Sequence, residues 1–292
     1  MAYRAAIICG ILVATGFAAF AQRQYFNTVP VAISAEATID ILNVGQGDAI
    51  HIRSSTDTDV LIDGGLDATV VERLGEVLPF WDRTIEVMML SHPDSDHITG
   101  LLTVFDYYTV KQLILVDVPA TGALQTELLK RATAQGTIIN YLRADAELTL
   151  SPVESITVLY PFINTNVADL STNDASLILL YSFNRTDGQK PTTFLTSGDA
   201  SEVVEAELVA LNLVPDVDIL KAGHHGSASS SSSGYLAAAQ AEFAVVSVGE
   251  DNDYGHPAAS ALERLAITSQ ILRTDQQGTI TFKVDAAGYS LE

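Results

Sequence analysis

The chain has 292 residues, with 15 Lys and Arg against 36 Asp and Glu, a formal net charge of -21. That length suits one large α/β domain rather than a stapled mini-protein, and 48% hydrophobic with only 17% charged residues excludes a mostly disordered chain. The acidic balance excludes a nucleic-acid coat protein that works by neutralising phosphates, and the single cysteine, Cys9, excludes an internal disulfide or a thiolate zinc knot.

A basic start, Met1 to Arg4, precedes an uncharged run of apolar and small residues over 5–21 that ends in Ala19-Phe20-Ala21. This pattern predicts a signal peptide over 1–21 and a periplasmic or extracellular protein, the alternative being an uncleaved anchor that holds the chain on the outer side of a membrane. A linker over 22–36 and one domain over 37–292 follow. Three short strands at 37–44, 48–53 and 58–62, separated by Gly-Gln-Gly and polar turns, read as an antiparallel meander.

Val70, Val71, Leu74, Val77 and Leu78 fall at helical spacing over 68–78. The pattern then alternates: strand 85–90, a helix beginning at 98–105, strand 112–116, helix 124–134, strand 137–140. A second β-rich block at 147–150, 155–160, 175–183 and 192–196 passes into helix 201–211, strand 217–221, helix 234–241, strand 243–248, helix 258–266 and strands 271–273 and 279–284. Strands followed by helix-strand units, twice over, predict two stacked sheets with helices outside, an αββα sandwich. The serine-rich stretch 227–233 reads by composition as a flexible loop, placed as a mobile rim over a site.

Five of the six histidines cluster at predicted strand ends. Strand 85–90 runs into His92-Pro93-Asp94-Ser95-Asp96-His97, four candidate metal ligands within six residues. So many polar side chains cannot share an apolar interior without partners, whereas a ligand-dense loop between a strand and a helix suits a metal site. Strand 192–196 ends in Ser197-Gly198-Asp199, and strand 217–221 ends in Ala222-Gly223-His224-His225-Gly226. Together these supply enough His and carboxylate donors for two divalent ions with open positions. His256, in Tyr254-Gly255-His256-Pro257 after strand 243–248, is a candidate substrate contact or proton donor.

The string from His92 to His97 resembles the His-x-[His/Asp]-x-Asp-His signature of the metallo-β-lactamase superfamily. Six further strings narrow the resemblance: Val44 to Ala49, Leu61 to Gly65, Asn173 to Leu177, Ser197 to Asp199, Gly223 to Ser227 and Tyr254 to Pro257. In this order they are similar to the hydrolase domain attached to the ComEC DNA-uptake channel and to its free-standing relatives, over about 39–284. The resemblance implies that His92, Asp94, Asp96 and His97 are ligands, that Asp199 bridges two metals, and that His224 or His225 completes the second site. It also implies that Asp63 orients the ligand loop. Two positions depart from the pattern. Asn173 stands where superfamily hydrolases usually have a further His, so that it or Ser176 contacts substrate or a metal-bound water instead, and Asn43 stands where the ComEC-like branch commonly has Asp.

The function expected is a secreted hydrolase with two divalent ions, Zn or Mn, acting on a phosphodiester, with DNA as the first candidate. Asp96 would serve the metal-activated attack, His256 the departing oxygen, and Lys221 would add charge nearby. The alternatives are another phosphodiester or ester, from a cell wall, lipid head group or cyclic nucleotide, and a non-catalytic accessory of the envelope or of DNA uptake.

Overall fold

The computed structural model describes residues 23–25, 36–116 and 122–292. The 1–21 stretch read as a signal peptide lies outside them. Within the 22–36 stretch, β1 (Arg23–Tyr25) runs parallel to a later strand. The meander consists of β2 (Glu36–Ile41), β3 (Ile50–Arg53) and β4 (Asp59–Ile62), each antiparallel to the next. Three helix-strand pairs follow: α1 (Thr69–Val77) with β5 (Thr84–Leu90), α2 (Ser95–Tyr107) with β6 (Thr109–Val116), and α3 (Ala123–Gln135) with β7 (Ile138–Leu142). Strands β4 to β7 are parallel, as crossover helices require.

The second half repeats the plan. Strands β8 (Glu147–Ser151), β9 (Glu154–Tyr160), β10 (Ile178–Phe183) and β11 (Thr192–Thr196) are antiparallel neighbours, and β1 lies beside β8. The strand expected at 175–183 begins only at Ile178, because Asn173–Ala175 close a 3-10 turn. Then α4 (Glu202–Ala210), β12 (Ile219–Lys221), α5 (Ser233–Ala239), β13 (Phe243–Val246), α6 (Ala259–Thr268) and β14 (Gln270–Arg273) extend the sheet with parallel strands. After a short helix, α7 (Thr274–Gln277), strands β15 (Ile280–Asp285) and β16 (Gly288–Leu291) return the chain to β2 in the first sheet. The last hairpin was not expected; its signal is Asp285, whose carboxylate accepts from the Ala287 and Gly288 amides across the turn.

Two mixed sheets of eight strands therefore stack face to face, with helices outside each. Inward residues such as Ile39, Ile52, Val87, Leu179, Phe194 and Phe282 fill the middle layer. The outer face of the first sheet packs on α1 to α3, and that of the second on α4 to α6. On α1 the helical stripe buries Val70 and Leu74, with Leu78 just beyond, each contributing about 1.5–3 kcal/mol by removal from water. Glu154 ties the sheets together: it accepts from the Ser55 amide and hydroxyl of the first sheet and from the Ser151 and Tyr181 hydroxyls of the second.

The sixth histidine is structural. His51 is fully buried, its Nδ1 2.9 Å from Asp40 and its Nε2 3.0 Å from Asp59. Burial pushes the imidazole down, but hydrogen bonds to the two carboxylates outweigh it and lift the group to about 9. Since the folded value lies above the unfolded one near 6.5, this stabilisation is complete below about pH 6.5 and is lost as pH rises through about 9. Denaturant unfolding at pH 6.5 and 9.5 should show the native protein losing on the order of 3 kcal/mol more than His51→Gln over that window. Equal losses in the two proteins would remove the charge from this triad.

A candidate metal centre at the strand ends

The candidate residues meet at one end of the sandwich, where parallel strands of both sheets finish. His92 to His97 follow β5, Asp199 follows β11, His224 and His225 follow β12, and His256 lies in the loop after β13. A single atom organises them. Oδ2 of Asp199 lies 3.4 Å from Nε2 of His97, 3.4 Å from that of His225, 3.5 Å from that of His224 and 3.9 Å from that of His92. Asp96 is 3.4 Å from Nε2 of His225, and Asp94 is 3.8 Å from Nε2 of His92.

Each buried imidazole is oriented by what its far nitrogen touches. Asp63 accepts the His97 Nδ1 proton at 2.8 Å, and it also accepts the Ser91 hydroxyl at 2.6 Å and the Ser91 amide at 2.8 Å. Because the Ser91 proton goes to Asp63, the Ser91 oxygen 3.0 Å from Nδ1 of His92 serves as acceptor, and His92 carries its proton on Nδ1. His225 Nδ1 lies 3.0 Å from the Ser247 carbonyl, which can only accept. All three rings therefore turn Nε2 toward Asp199.

Those three Nε2 atoms and Oδ1 of Asp199 are buried without a hydrogen-bond partner. Unsatisfied buried polar atoms are costly, and here they converge, so a divalent cation fits this donor set. The groupings that come within 4.8 Å of one another include His92, His97 and Asp199, and also Asp96, His97 and His225. Burial pushes His92 down to about 3, helped by the neighbouring charge of His97, and leaves its Nε2 lone pair free. Burial also works against a charged His97, but Asp199 and Asp63 outweigh it and lift the group to about 10. For Asp96 burial raises the carboxyl, while the adjacent His225 and the charge on His97 prevail and hold it at about 2. A cation taking up Nε2 of His97 competes with a proton, so metal uptake releases protons.

Of the adjacent histidines, His225 is buried and faces Asp96 and Asp199, while His224 is partly exposed on the pocket wall. The choice is set by an unusual turn: His224 and His225 both have positive φ, 46° and 52°, which costs roughly 1–2 kcal/mol per residue. The serine-rich stretch holds that turn in place. Ser230 donates to the Gly223 carbonyl and Ser231 accepts from the Gly223 amide, while Glu205 accepts from the Ser231 and Ser232 amides. Arg264 donates to the carbonyls of Ala228, Ser230 and Ser231. Ser230 and Ser231 are buried, so the expected mobile rim is instead an internal strap behind the metal centre.

Lys221 also stands behind the site. Its ammonium is fully buried, paired with Asp48, 3.4 Å from the Gly198 carbonyl and 3.9 Å from Oδ1 of Asp199. The expected role of added charge beside substrate does not fit this sealed position. Asp48, at the end of the Gly45-Gln46-Gly47-Asp48 turn, lies 3.2 Å from Nδ1 of His225. Burial raises its carboxyl, but Lys221 and then His225 outweigh that and hold it well below the usual range. Gly47 presses so closely on the ligand loop that a Cβ there would meet the Asp96 carbonyl at 2.0 Å.

Asn173 is half-exposed on the 3-10 turn, where its amide oxygen accepts from the Thr172 hydroxyl. It is not among the residues that line the pocket. Ser176, buried beside it in sequence, accepts from the Asp199 amide and so positions the shared carboxylate. Above the metal centre opens a cavity of about 350 Å³, lined by Gln46, Pro93, Asp94, Ser95, Asp96, Asp199, His224, His225, Tyr254 and His256. Gln46 reaches the pocket from the Gly45-Gln46-Gly47-Asp48 turn, and Tyr254 joins it without having been singled out as a candidate.

No protein-family model matches the chain. It is 27% identical over 272 residues, 86% of its length, to ComE operon protein 3 of Bacillus subtilis, and 28% identical over 235 residues, 78% of its length, to Recombination protein 2 of Haemophilus influenzae. The matched regions make up 33% and 26% of those proteins, so the chain spans about a third or less of the curated relatives it matches. Among solved structures it is similar to CmlA, a diiron β-hydroxylase from Streptomyces venezuelae, with a TM-score of 0.55 and 16% identity over 87% of this chain and 54% of that one. Igni18, a metallo hydrolase from Ignicoccus hospitalis, gives 0.52 and 14% identity over 84% and 98%. The chain has a metallo-β-lactamase-like α/β fold and is distantly similar to the Bacillus subtilis and Haemophilus influenzae relatives over most of its own length.

Proposed function

We propose that this chain of metallo-β-lactamase fold is a metal-dependent phosphodiesterase that acts on DNA outside the cytoplasm. The observation that carries the proposal is the set of buried, unpartnered Nε2 atoms of His92, His97 and His225 gathered around Asp199, which with His225 lines an open pocket. His92 and Asp94 would hold one divalent ion and Asp96, His97 and His225 a second, with Asp199 shared. When bound, such ions acidify water and withdraw charge from phosphoryl oxygens. The relatives' names, a recombination protein among them, favour nucleic acid over a lactam or lipid.

The side chains divide the remaining work. Asp63, Ser91 and Ser247 fix the imidazole tautomers, so no ligand must reorient as the reaction proceeds. His256 stands at the pocket wall with its ring 5.5 Å from that of His224. Burial and the nearby His224 and His225 lower it, so it faces substrate as a neutral imidazole with one N–H to offer the departing oxygen. His224, lowered chiefly by burial, flanks it as a second neutral donor.

The test is hydrolysis of labelled single- and double-stranded DNA by the purified protein with Mn²⁺, Zn²⁺ or chelator, beside Asp96→Ala. Cleavage that requires both metal and Asp96 is the expected result. Two bound ions without cleavage of either DNA would sink the nuclease reading and leave a hydrolase of another phosphodiester or ester.

A further inference from the structure

We infer that Tyr254 is a stacking platform for a nucleobase, so that the pocket takes single-stranded nucleic acid by its unpaired bases instead of tracking a phosphate backbone. The inference rests on the phosphodiesterase reading and names the substrate class of the same site.

Tyr254 lines the pocket and is 66% exposed, which leaves one face of its ring open to a ligand. Its ring lies at 18° to that of His256, with centroids 6.1 Å apart, and His256 in turn abuts His224 at 5.5 Å. A row of rings thus runs from solvent to His224, the last two meeting edge to face at 71°, and Nε2 of His224 is 3.5 Å from Asp199. A base laid on Tyr254 would enter at the open end of this row.

The platform is rigid. Oδ1 of Asn252 accepts from the Tyr254 amide at 3.2 Å and from the His256 amide at 3.0 Å, while Nδ2 donates to the carbonyls of Gly249 and His256. One side chain therefore pins the backbone on both sides of Gly255, so the loop that carries the exposed ring is ordered before substrate arrives. Ordering costs on binding fall accordingly.

Charge points the same way. None of the residues lining the pocket is Lys or Arg, and the chain carries a net charge of -21. Affinity cannot come from releasing counterions along a duplex. Stacking needs no protein charge, is open to every base, and is denied by a closed helix whose bases cover one another.

The experiment compares a short oligothymidylate with an oligomer of the same length carrying abasic sites, using the full chain with Mn²⁺. KM and the dissociation constant from fluorescence anisotropy of the labelled oligomers are both read. Tyr254→Ala should raise both values for oligothymidylate at least about tenfold more than for the abasic oligomer, and Tyr254→Phe should restore most of the difference. An equal effect on the two oligomers overturns the inference even if both are cleaved, leaving the phosphodiesterase reading intact. Tyr254-dependent preference for oligothymidylate in binding, without cleavage of either oligomer, upholds the platform and removes the phosphodiesterase reading.

Discussion

Asp199→Asn should lower bound metal from two ions to one or fewer per chain and cut metal-dependent phosphodiester hydrolysis by about 10³-fold or more. The substitution keeps the shape of the side chain and removes the one charge that, among the described residues, lies within 3.4–3.9 Å of His92, His97, His224 and His225. A carboxylate shared by two ions supports several kcal/mol of transition-state charge stabilisation, and each 1.36 kcal/mol is tenfold in rate. The fold should survive, since the backbone at Asp199 is held by its amide to the Ser176 hydroxyl and not through its carboxylate. Elemental analysis after dialysis, circular dichroism and a rate measurement on a chromogenic phosphodiester decide the matter together. Two retained ions with undiminished turnover would show that the centre is organised around some other group.

The parts of this site that could be read from the sequence are those fixed by local pattern. His92 to His97 crowd into one strand-to-helix loop, and Asp199 and the His224-His225 pair each sit at a strand end, so residue type and position were enough to bring them together. What could not be read depends on contacts between distant segments. Alternation along a strand leaves His224 and His225 equivalent, and the decision falls to a left-handed turn that Ser230, Ser231 and, through them, Glu205 and Arg264 hold from behind. Composition made the serines look mobile because isolated hydroxyls prefer water; here every one that matters meets a partner, and burial follows. Asn173 was drawn toward the pocket by its place in a motif, but a 3-10 turn keeps it outside and hands the local role to Ser176.

The place of Lys221 is illegible for the same reason, since nothing near it in sequence shows that Asp48 lies against it, and its position leads to the second large effect. Lys221→Met should destabilise the protein by about 3–5 kcal/mol, the cost of leaving one member of a buried ion pair without its partner. The remaining carboxylate would sit beside Asp199, whose own charge is opposed first by burial and sustained by His225 and His97. Adding Asp48→Asn to the same chain removes the orphaned charge, so the double variant should be more stable than Lys221→Met alone by about 1–3 kcal/mol, the usual cost of a buried group left unsatisfied. Denaturant unfolding in chelator measures all four corners of this cycle free of metal linkage. A double variant no more stable than Lys221→Met would mean that Lys221 compensates Asp199 rather than Asp48. The pair is then best seen as an internal ballast: five acidic side chains, Asp48, Asp63, Asp94, Asp96 and Asp199, crowd one end of the sandwich, and a lysine sealed from solvent lets the protein assemble that many negative charges before any cation arrives.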